Sequence, residues 1–281
     1  MRIINLMEDT KGCESCVYEH GLSFYMETEK HKMLLDFGAS DATLANAKVL
    51  GIDLTQVDLS VLSHGHYDHS GGMIPFTQIN PTAEIYLQKT ALGDYYNLSN
   101  GEKYIGIDKA IAKLPQAKII EGNLKIDSEI ELFTNITGRR FFARGNQVLK
   151  RKDGENYVQD DFRHEQCAVI HQGNEHILFS GCAHNGILNI LDEYKRLYNS
   201  YPTMVISGFH MMQKEYTQAD IETIQNVAQE LTTLPTKFYT GHCTGKTAFD
   251  IMKEIMGEQL VELHCGEDVT PHFSGAMHSP L

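Results

Sequence analysis

Short apolar runs rich in β-branched residues alternate with helical patterns along most of this chain. The predicted strands lie at 1–8, 22–28, 31–37, 58–63, 167–172, 176–180, 203–207, 237–240 and 260–264. The predicted helices lie at 41–52, 186–198, 219–234 and 247–256. Because helices bury the apolar faces of a sheet, this alternation predicts a layered α/β protein.

The segment at about 90–165 is less regular. Its clusters of glycine, asparagine and charged residues predict long loops around one or two hairpins. Since α/β enzymes of this length are often one domain, we expect a single domain over residues 1–281 with an insertion at about 90–165. That insertion is either a cover for the active site or a solvated connection.

Charge and hydropathy limit the kinds of partner. Lys and Arg number 24 against 37 Asp and Glu, and the net charge of −13 disfavours binding to nucleic acid or to an anionic membrane. No signal-like or membrane-spanning apolar run is present, and the six cysteines are too sparse for a disulfide framework. We therefore expect a cytoplasmic protein that acts on a small molecule, as a monomer or as an oligomer.

The strongest local signal is the hexapeptide His64-Gly65-His66-Tyr67-Asp68-His69, which follows the predicted strand 58–63. Imidazole and carboxylate groups are the ligands that zinc and related divalent ions bind. Two histidines separated by one residue lie on the same side of an extended segment. The hexapeptide therefore offers four ligands for one or two adjacent metal ions.

Histidines also follow the ends of several predicted strands. His64, His184, His210 and His242 each come after a short apolar run that ends in Ser or Thr. The carboxyl ends of strands border the ligand crevice in open α/β sheets, so we expect these histidines to converge on one site. Taken singly, each of them would more often be a structural residue.

These segments resemble the metallo-β-lactamase superfamily, whose signature is a His-x-His-x-Asp-His loop after a strand. The resemblance implies a four-layered αβ/βα sandwich. More narrowly, EHGLS, SHGHYDHSGG, SGCAHNGILNIL, SGFHM and GHCTG are similar to a branch of metal-dependent hydrolases labelled dihydropterin ribofuranosyl-aminobenzene phosphate synthase-like. The similarity spans nearly the whole chain.

The resemblance also implies a ligand set. It assigns His64 and His66 to one ion and Asp68 and His69 to the second, and the candidates that complete both sets are His184 and His242. The cofactor implied is one or two divalent ions, most often zinc, with iron or manganese as alternatives. Cys182 stands where the superfamily has a bridging Asp. Either His184 replaces that Asp, a Cys182 thiolate does, or only one ion binds tightly.

Other residues have less specific assignments. We expect Asp68 and His210 to be catalytic, with His210 either a ligand or the group that protonates the leaving atom. The candidates for substrate contact are His20, His164 and Cys182. The pair Cys13 and Cys16 is redox-active, binds an extra metal or is an ordinary reduced loop. The histidines that we expect to be non-functional are His31, His171, His176, His264, His272 and His278.

A basic cluster lies within the less regular segment. Its members are Arg139, Arg140, Arg144, Lys150, Arg151 and Lys152. Guanidinium groups match phosphate geometry, which favours an anionic or phosphorylated substrate, although a solvated charged loop would have the same composition.

The activity expected from these residues is metal-assisted hydrolysis of a phosphoester or related ester bond. A di-iron oxidoreductase on the same scaffold is the first alternative, but such enzymes typically carry a carboxylate at the position of His66. The second alternative is a non-catalytic metal-binding module.

Overall fold

Strands and helices follow the predicted alternation in the computed structural model, which describes residues 1–270. The strands are β1 (Arg2–Met7), β2 (Ser23–Glu27), β3 (Lys32–Leu35), β4 (Leu59–Val61), β5 (Glu84–Gln88), β6 (Tyr95–Asn97), β7 (Lys103–Tyr104), β8 (Ala117–Ile120), β9 (Leu124–Lys125), β10 (Ile130–Phe133), β11 (Leu149–Asp153), β12 (Asn156–Gln159), β13 (Cys167–Gln172), β14 (Glu175–Ser180), β15 (Met204–Ser207), β16 (Lys237–Thr240) and β17 (Leu260–Glu262). The helices are α1 (Ala42–Val49), α2 (Tyr67–Ser70), α3 (Met73–Ile79), α4 (Ile187–Tyr198), α5 (Gln218–Thr232) and α6 (Lys246–Met256). His272 and His278 lie outside the described residues.

Two large mixed sheets form the centre of the fold. The first has the strand order β1-β2-β3-β4-β5-β8, and the second has the order β17-β16-β15-β14-β13-β10-β9. Strands β3, β4, β5 and β8 pair in parallel, as do β14, β15, β16 and β17. The parallel parts end in the loops that carry the predicted histidines.

Three apolar clusters separate the layers. Side chains of both sheets, such as Phe24 of β2 and Phe179 of β14, pack together in one cluster. A second cluster packs α1 and α3 against the outer face of the first sheet, and a third packs α4, α5 and α6 against the second sheet. Helix, sheet, sheet and helix thus form four layers, which confirms the predicted αβ/βα metallo-β-lactamase sandwich.

The helices form where the sequence places apolar residues at helical spacing. In α4, Ile187, Ile190, Leu191 and Tyr194 are buried on one face. Helix α5 begins with a capping box, in which the Thr217 side chain and the Asp220 side chain each bind the other residue's backbone N–H. Within residues 1–270, no helix combines the length and the apolar character needed to cross a bilayer.

The segment at about 90–165 does not form one continuous insertion. Its middle part returns to the main sheets, because β8 extends the first sheet while β9 and β10 extend the second. The two flanking parts meet in a small antiparallel sheet with the order β12-β11-β6-β7. Asn97, Lys103, Ile105 and Leu149 of these parts line a cavity next to the histidine loop.

Candidate metal centre

The predicted strand-end histidines converge on one place in the fold. His64 and His66 follow β4 of the first sheet, whereas His184 follows β14 of the second sheet. The rings of these three histidines have centroids 4.6 to 4.9 Å apart. The two sheets therefore bring together side chains that are far apart in sequence.

His64, His66 and His184 form a first group of ligand atoms that all lie within 4.8 Å of one another. All three side chains are buried, and each Nε2 atom has no hydrogen-bond partner. Buried polar atoms without a partner are rare in folded proteins. Three of them gathered in one place fit a divalent cation bound by imidazole nitrogens.

Burial and mutual repulsion keep this group uncharged. Burial, followed by neighbouring histidines, holds the pKa of His64 and of His184 well below the ordinary value. Burial lowers the pKa of His66 to about 3. Metal ligands must be unprotonated, so these pKa values favour cation binding near neutral pH.

Hydrogen bonds orient the rings and select the tautomers. The hydroxyl of Ser63 donates to Asp36 Oδ2 at 2.7 Å and accepts from Nδ1 of His64 at 2.8 Å. In the same way Nδ1 of His184 lies 3.0 Å from Oδ1 of Asn146. A proton on Nδ1 leaves the Nε2 lone pair free, which is the arrangement found in metal-binding histidines.

Asp68, His69, Cys182 and His242 form a second group of ligand atoms within 4.8 Å of one another. Oδ2 of Asp68 lies 3.6 Å from Nε2 of His69 and 3.4 Å from Nε2 of His242. Carboxylate, imidazole and thiol groups are all zinc ligands, so this group also fits a divalent cation.

Cys182 lies between the two groups. Its sulfur is 3.1 Å from Nε2 of His69 in the second group. The same residue also forms a cluster with His184, a member of the first group, and with His210. The thiol is thus close to ligand atoms of both groups.

Asp9 is a further acidic residue of the site that the sequence pattern did not reveal. Its Oδ1 lies 2.6 Å from Nδ1 of His242, and its Oδ2 lies 2.7 Å from Nδ1 of His20. Burial alone would raise the pKa of Asp9, but hydrogen bonds from His20 and His242 outweigh it and hold the pKa below its ordinary value. Asp9 therefore remains a carboxylate that orients both rings.

Two site residues have strained backbones. His210 and His242 have φ values of 50° and 49°, in the left-handed region that non-glycine residues rarely adopt. Each such conformation costs about 1 to 3 kcal/mol and persists only where its surroundings enforce it. The two residues lie in the loops that follow β15 and β16.

His210 has one ring nitrogen available. Its ring centroid is 4.1 Å from that of His184, and its buried Nδ1 has no hydrogen-bond partner. The residue is half-buried and lines the cavity next to the histidine loop.

The three predicted substrate contacts differ in position. His20 and Cys182 line the cavity, whereas His164 is not among its lining residues. Nδ1 of His164 accepts the Gly65 N–H at 3.0 Å, and Nε2 lies 3.0 Å from Oδ2 of Asp160. Both nitrogens thus have partners within the protein, and through the Gly65 N–H His164 supports the histidine loop.

The cavity itself has a volume of about 280 Å³. Lys103 is the one Lys or Arg among its lining residues, and its Nζ lies 3.4 Å from the Tyr67 hydroxyl. A second, largely apolar cavity of about 230 Å³ adjoins it and shares His210. Its walls include Phe141, Phe142 and Phe209.

Two members of the basic cluster of the less regular segment form ion pairs with acidic side chains. Arg140 binds Asp192 at 3.0 Å and Glu230 at 2.6 Å. Arg144 binds Asp220 at 2.9 Å. Both guanidinium groups line the adjoining cavity, whereas Lys103 lines the cavity beside the candidate ligands.

Comparison with sequence families and known proteins finds similar chains. Residues 18–138 match the model of the metallo-beta-lactamase superfamily. An uncharacterised protein of Methanocaldococcus jannaschii is 29% identical, covering 90% of this chain and 94% of the relative. The 7,8-dihydropterin-6-methyl-4-(beta-D-ribofuranosyl)-aminobenzene-5'-phosphate synthase of the same organism is 27% identical, covering 95% of each chain.

Solved structures show the same similarity. The crystal structure of Tm1679, a metal-dependent hydrolase of the beta-lactamase superfamily, aligns with a TM-score of 0.80 and 29% identity over 96% of this chain and 99% of that chain. The metallo-beta-lactamase fold protein YhfI from Bacillus subtilis aligns with a TM-score of 0.58 and 12% identity over 95% of this chain and 97% of that chain.

Proposed function

The chain belongs to the metallo-β-lactamase superfamily, and from this premise we propose that it is a metal-dependent hydrolase of a small anionic substrate. The observation that carries the proposal is the set of three buried, unpartnered Nε2 atoms of His64, His66 and His184 within 4.8 Å. A similar structure described as a metal-dependent hydrolase supports the reaction class.

We assign His64, His66 and His184 to one ion and Asp68, His69 and His242 to a second, with the Cys182 thiolate between them. Zinc is the ion that this mixture of imidazole, carboxylate and thiolate favours, and iron or manganese are alternatives. When bound, a divalent ion supplies Lewis acidity that makes water nucleophilic near neutral pH and polarises the scissile bond.

The chain's own groups position the reactants. Burial would raise the pKa of Asp68, but His69, His242 and His20 outweigh it and hold the pKa well below the ordinary value. Asp68 is therefore ionised and accepts a hydrogen bond from the attacking water, which orients the water's lone pair. His210, with an unpartnered Nδ1 at the junction of the two cavities, donates a proton to the leaving group.

Lys103 and the adjoining cavity bind the substrate. Lys103 holds its anionic part, because no other Lys or Arg lines the cavity of about 280 Å³. The adjoining cavity, with its phenylalanine walls, accepts an apolar part of the molecule. A cavity of this size fits a small molecule better than a macromolecule.

The relative named as a dihydropterin phosphate synthase favours a second candidate. In that case the same metal centre would assemble a phosphorylated product instead of hydrolysing one. Because the name of that protein includes a 5'-phosphate, a phosphorylated small molecule would suit both candidates.

We also propose a cytoplasmic location. The Cys182 thiol lies beside the candidate ligands, and a reducing compartment would keep it available for metal binding.

Elemental analysis together with a substrate panel tests the proposal. The purified protein should contain one or two divalent ions per chain, and it should cleave at least one member of a panel of phosphomonoesters, phosphodiesters, lactones and thioesters. His66→Ala should lose bound metal and turnover while its circular dichroism spectrum is unchanged. The matched control is His176→Ala on the β13–β14 hairpin, which should retain both.

The opposite results would discriminate between the candidates. Full turnover in metal-free His66→Ala protein would overturn the metal-dependent mechanism. Bound metal without cleavage of any panel member, combined with product formation from a phosphorylated precursor, would favour the synthase.

A further inference from the structure

Cys13 and Cys16 form a pair that the candidate metal centre does not use. They lie between β1 and β2, where the Cys16 N–H donates to the Cys13 carbonyl at 3.3 Å and closes a turn. Cys13 is half-buried, whereas Cys16 is only 8% exposed. One sulfur is therefore accessible to solvent and the other is shielded behind it.

Both cysteine side chains pack against Gly266. A Cβ atom at this position would lie 2.3 Å from Cys13 Cβ and 2.8 Å from Cys16 Sγ, so a side chain here would displace both. The Cys13 N–H also donates to the Cys265 carbonyl at 2.8 Å. These contacts hold the two cysteine side chains against the same glycine and on the same side of the turn.

Cys265 is a third thiol nearby, and its side chain hydrogen-bonds both with Cys16 and with groups outside the pair. It is fully buried, lies 3.4 Å from the Leu6 carbonyl and 3.2 Å from the Val17 carbonyl, and accepts a hydrogen bond from Asn46 at 3.3 Å. Among residues 1–270, the groups of ligand atoms that gather within 4.8 Å do not include these three cysteines. The geometry thus favours a dithiol over a metal site.

The two thiols differ in acidity. A hydrogen bond from Cys16 lowers the pKa of Cys13, while burial raises the pKa of Cys16 to about 12. The thiolate is the reactive form of cysteine, so Cys13 is the residue that attacks and Cys16 the one that resolves. An accessible, more acidic first cysteine with a buried second one is the arrangement of Cys-x-x-Cys redox sites.

We propose that Cys13 and Cys16 are a redox-active dithiol that exchanges with small-molecule disulfides. The Cys13 thiolate attacks one sulfur of the small disulfide, forms a mixed disulfide and releases one thiolate. The Cys16 thiol then gives its proton to solvent, and its sulfur attacks the Cys13 sulfur and displaces the second thiolate. One external disulfide is reduced to two thiols, and the protein dithiol is oxidised to one disulfide.

This site is distinct from the proposed hydrolase activity and does not depend on it. The metal-loaded full chain is incubated with oxidised glutathione, quenched in acid, alkylated and mapped by mass spectrometry. The wild-type protein should acquire a Cys13–Cys16 disulfide that dithiothreitol reverses. Cys16→Ser should instead accumulate glutathione on Cys13, because the resolving thiol is missing.

Two more variants test which cysteine reacts with glutathione. Cys13→Ser should leave Cys16 unmodified, and Cys167→Ala, which removes a fully buried cysteine of β13, should behave like the wild type. A stable glutathione adduct on Cys13 of the wild-type protein would overturn the proposal. So would a Cys13–Cys265 link, or a wild-type protein that stays reduced when its urea-unfolded form is readily oxidised.

Discussion

Nδ1 of His69 lies 2.7 Å from Oδ2 of Asp36, and both side chains are fully buried. The same carboxylate accepts hydrogen bonds from the Ser63 backbone N–H and hydroxyl, and this hydroxyl binds His64. One carboxylate thus orients a member of each candidate ligand group. Asp36 has a φ of 55°, a left-handed conformation that Asp and Asn adopt more readily than most residues.

We therefore predict that Asp36→Asn weakens metal binding without unfolding the protein. Removing the partner of a ligating histidine typically costs about 10- to 100-fold in metal affinity. Competition with a chromophoric chelator measures the affinity. Asp58→Asn, which changes the surface His31–Asp58 pair at 2.6 Å, is the matched control and should bind metal like the wild type. Equal affinities of the two variants would contradict the orienting role.

The long elements of the fold could be predicted from the sequence because each carries its own period. Helix α4 shows the apolar spacing of a buried helix face, and the β13–β14 hairpin is marked by Gly173 at its turn. The strands β8 and β9 could not be predicted. Both are short and partly exposed. Strand β8 joins the first sheet by pairing with the distant strand β5, and β9 contributes only two residues to a pairing with the next strand, β10. The single-domain organisation stays a prediction.

The candidate site was predictable where its residues are close in sequence or follow a strand. His64, His66 and His69 have a spacing that suggests metal binding by itself. Asp36 and Asp9 were missed because their role comes from contacts with histidines at distant positions. A signal for Asp36 was present, since an acidic residue interrupts the apolar run 33–37. No feature of the sequence indicated the hydrogen bond between His164 and Asp160.

The sulfur of Cys182, 3.1 Å from Nε2 of His69, leads to a second prediction. Cys182→Ala should reduce the metal content towards one ion per chain, because the remaining first group is complete without the thiol. Cobalt-substituted wild-type protein should show a thiolate-to-cobalt absorption band that the variant lacks. Cys167→Ala is the control with a distant buried cysteine. A wild-type cobalt spectrum without this band would rule out thiolate ligation.

Lys103 supports a prediction about substrate charge. Lys103→Gln should raise KM for an anionic substrate about 10-fold with little change in kcat, since a hydrogen bond to a charged group is worth about 1.5 to 3 kcal/mol. Lys103→Arg should restore most of the affinity. Lys89→Gln, which removes a surface lysine paired with Glu121 at 2.7 Å, serves as the control.

A neutral substrate analogue sharpens this comparison. Its KM should be the same for wild-type protein and for Lys103→Gln. An equal loss for the anionic and the neutral substrate would show that Lys103 supports the small sheet and does not recognise charge.

The last prediction concerns His31, which joins the two sheets. Its Nδ1 lies 2.6 Å from Asp58, and its Nε2 lies 3.2 Å from Asp127 near β10. Burial alone would lower the pKa of His31, but the hydrogen bonds that its ring donates to these carboxylates outweigh burial and raise the pKa above 6.5. The folded state therefore holds the proton more tightly than the unfolded state, so the stabilisation is fully present below pH 6.5 and is lost as the pH rises through the folded pKa.

His31→Gln should accordingly lower the free energy of unfolding below pH 6.5, and it should have a smaller effect at a pH above the folded pKa of His31. Because the pair is partly exposed, the difference should be about 0.5 to 1 kcal/mol. Urea unfolding of both proteins, about one pH unit below and two units above 6.5, measures it. Equal destabilisation at both pH values would mean that His31 contributes by packing, since packing does not depend on its charge.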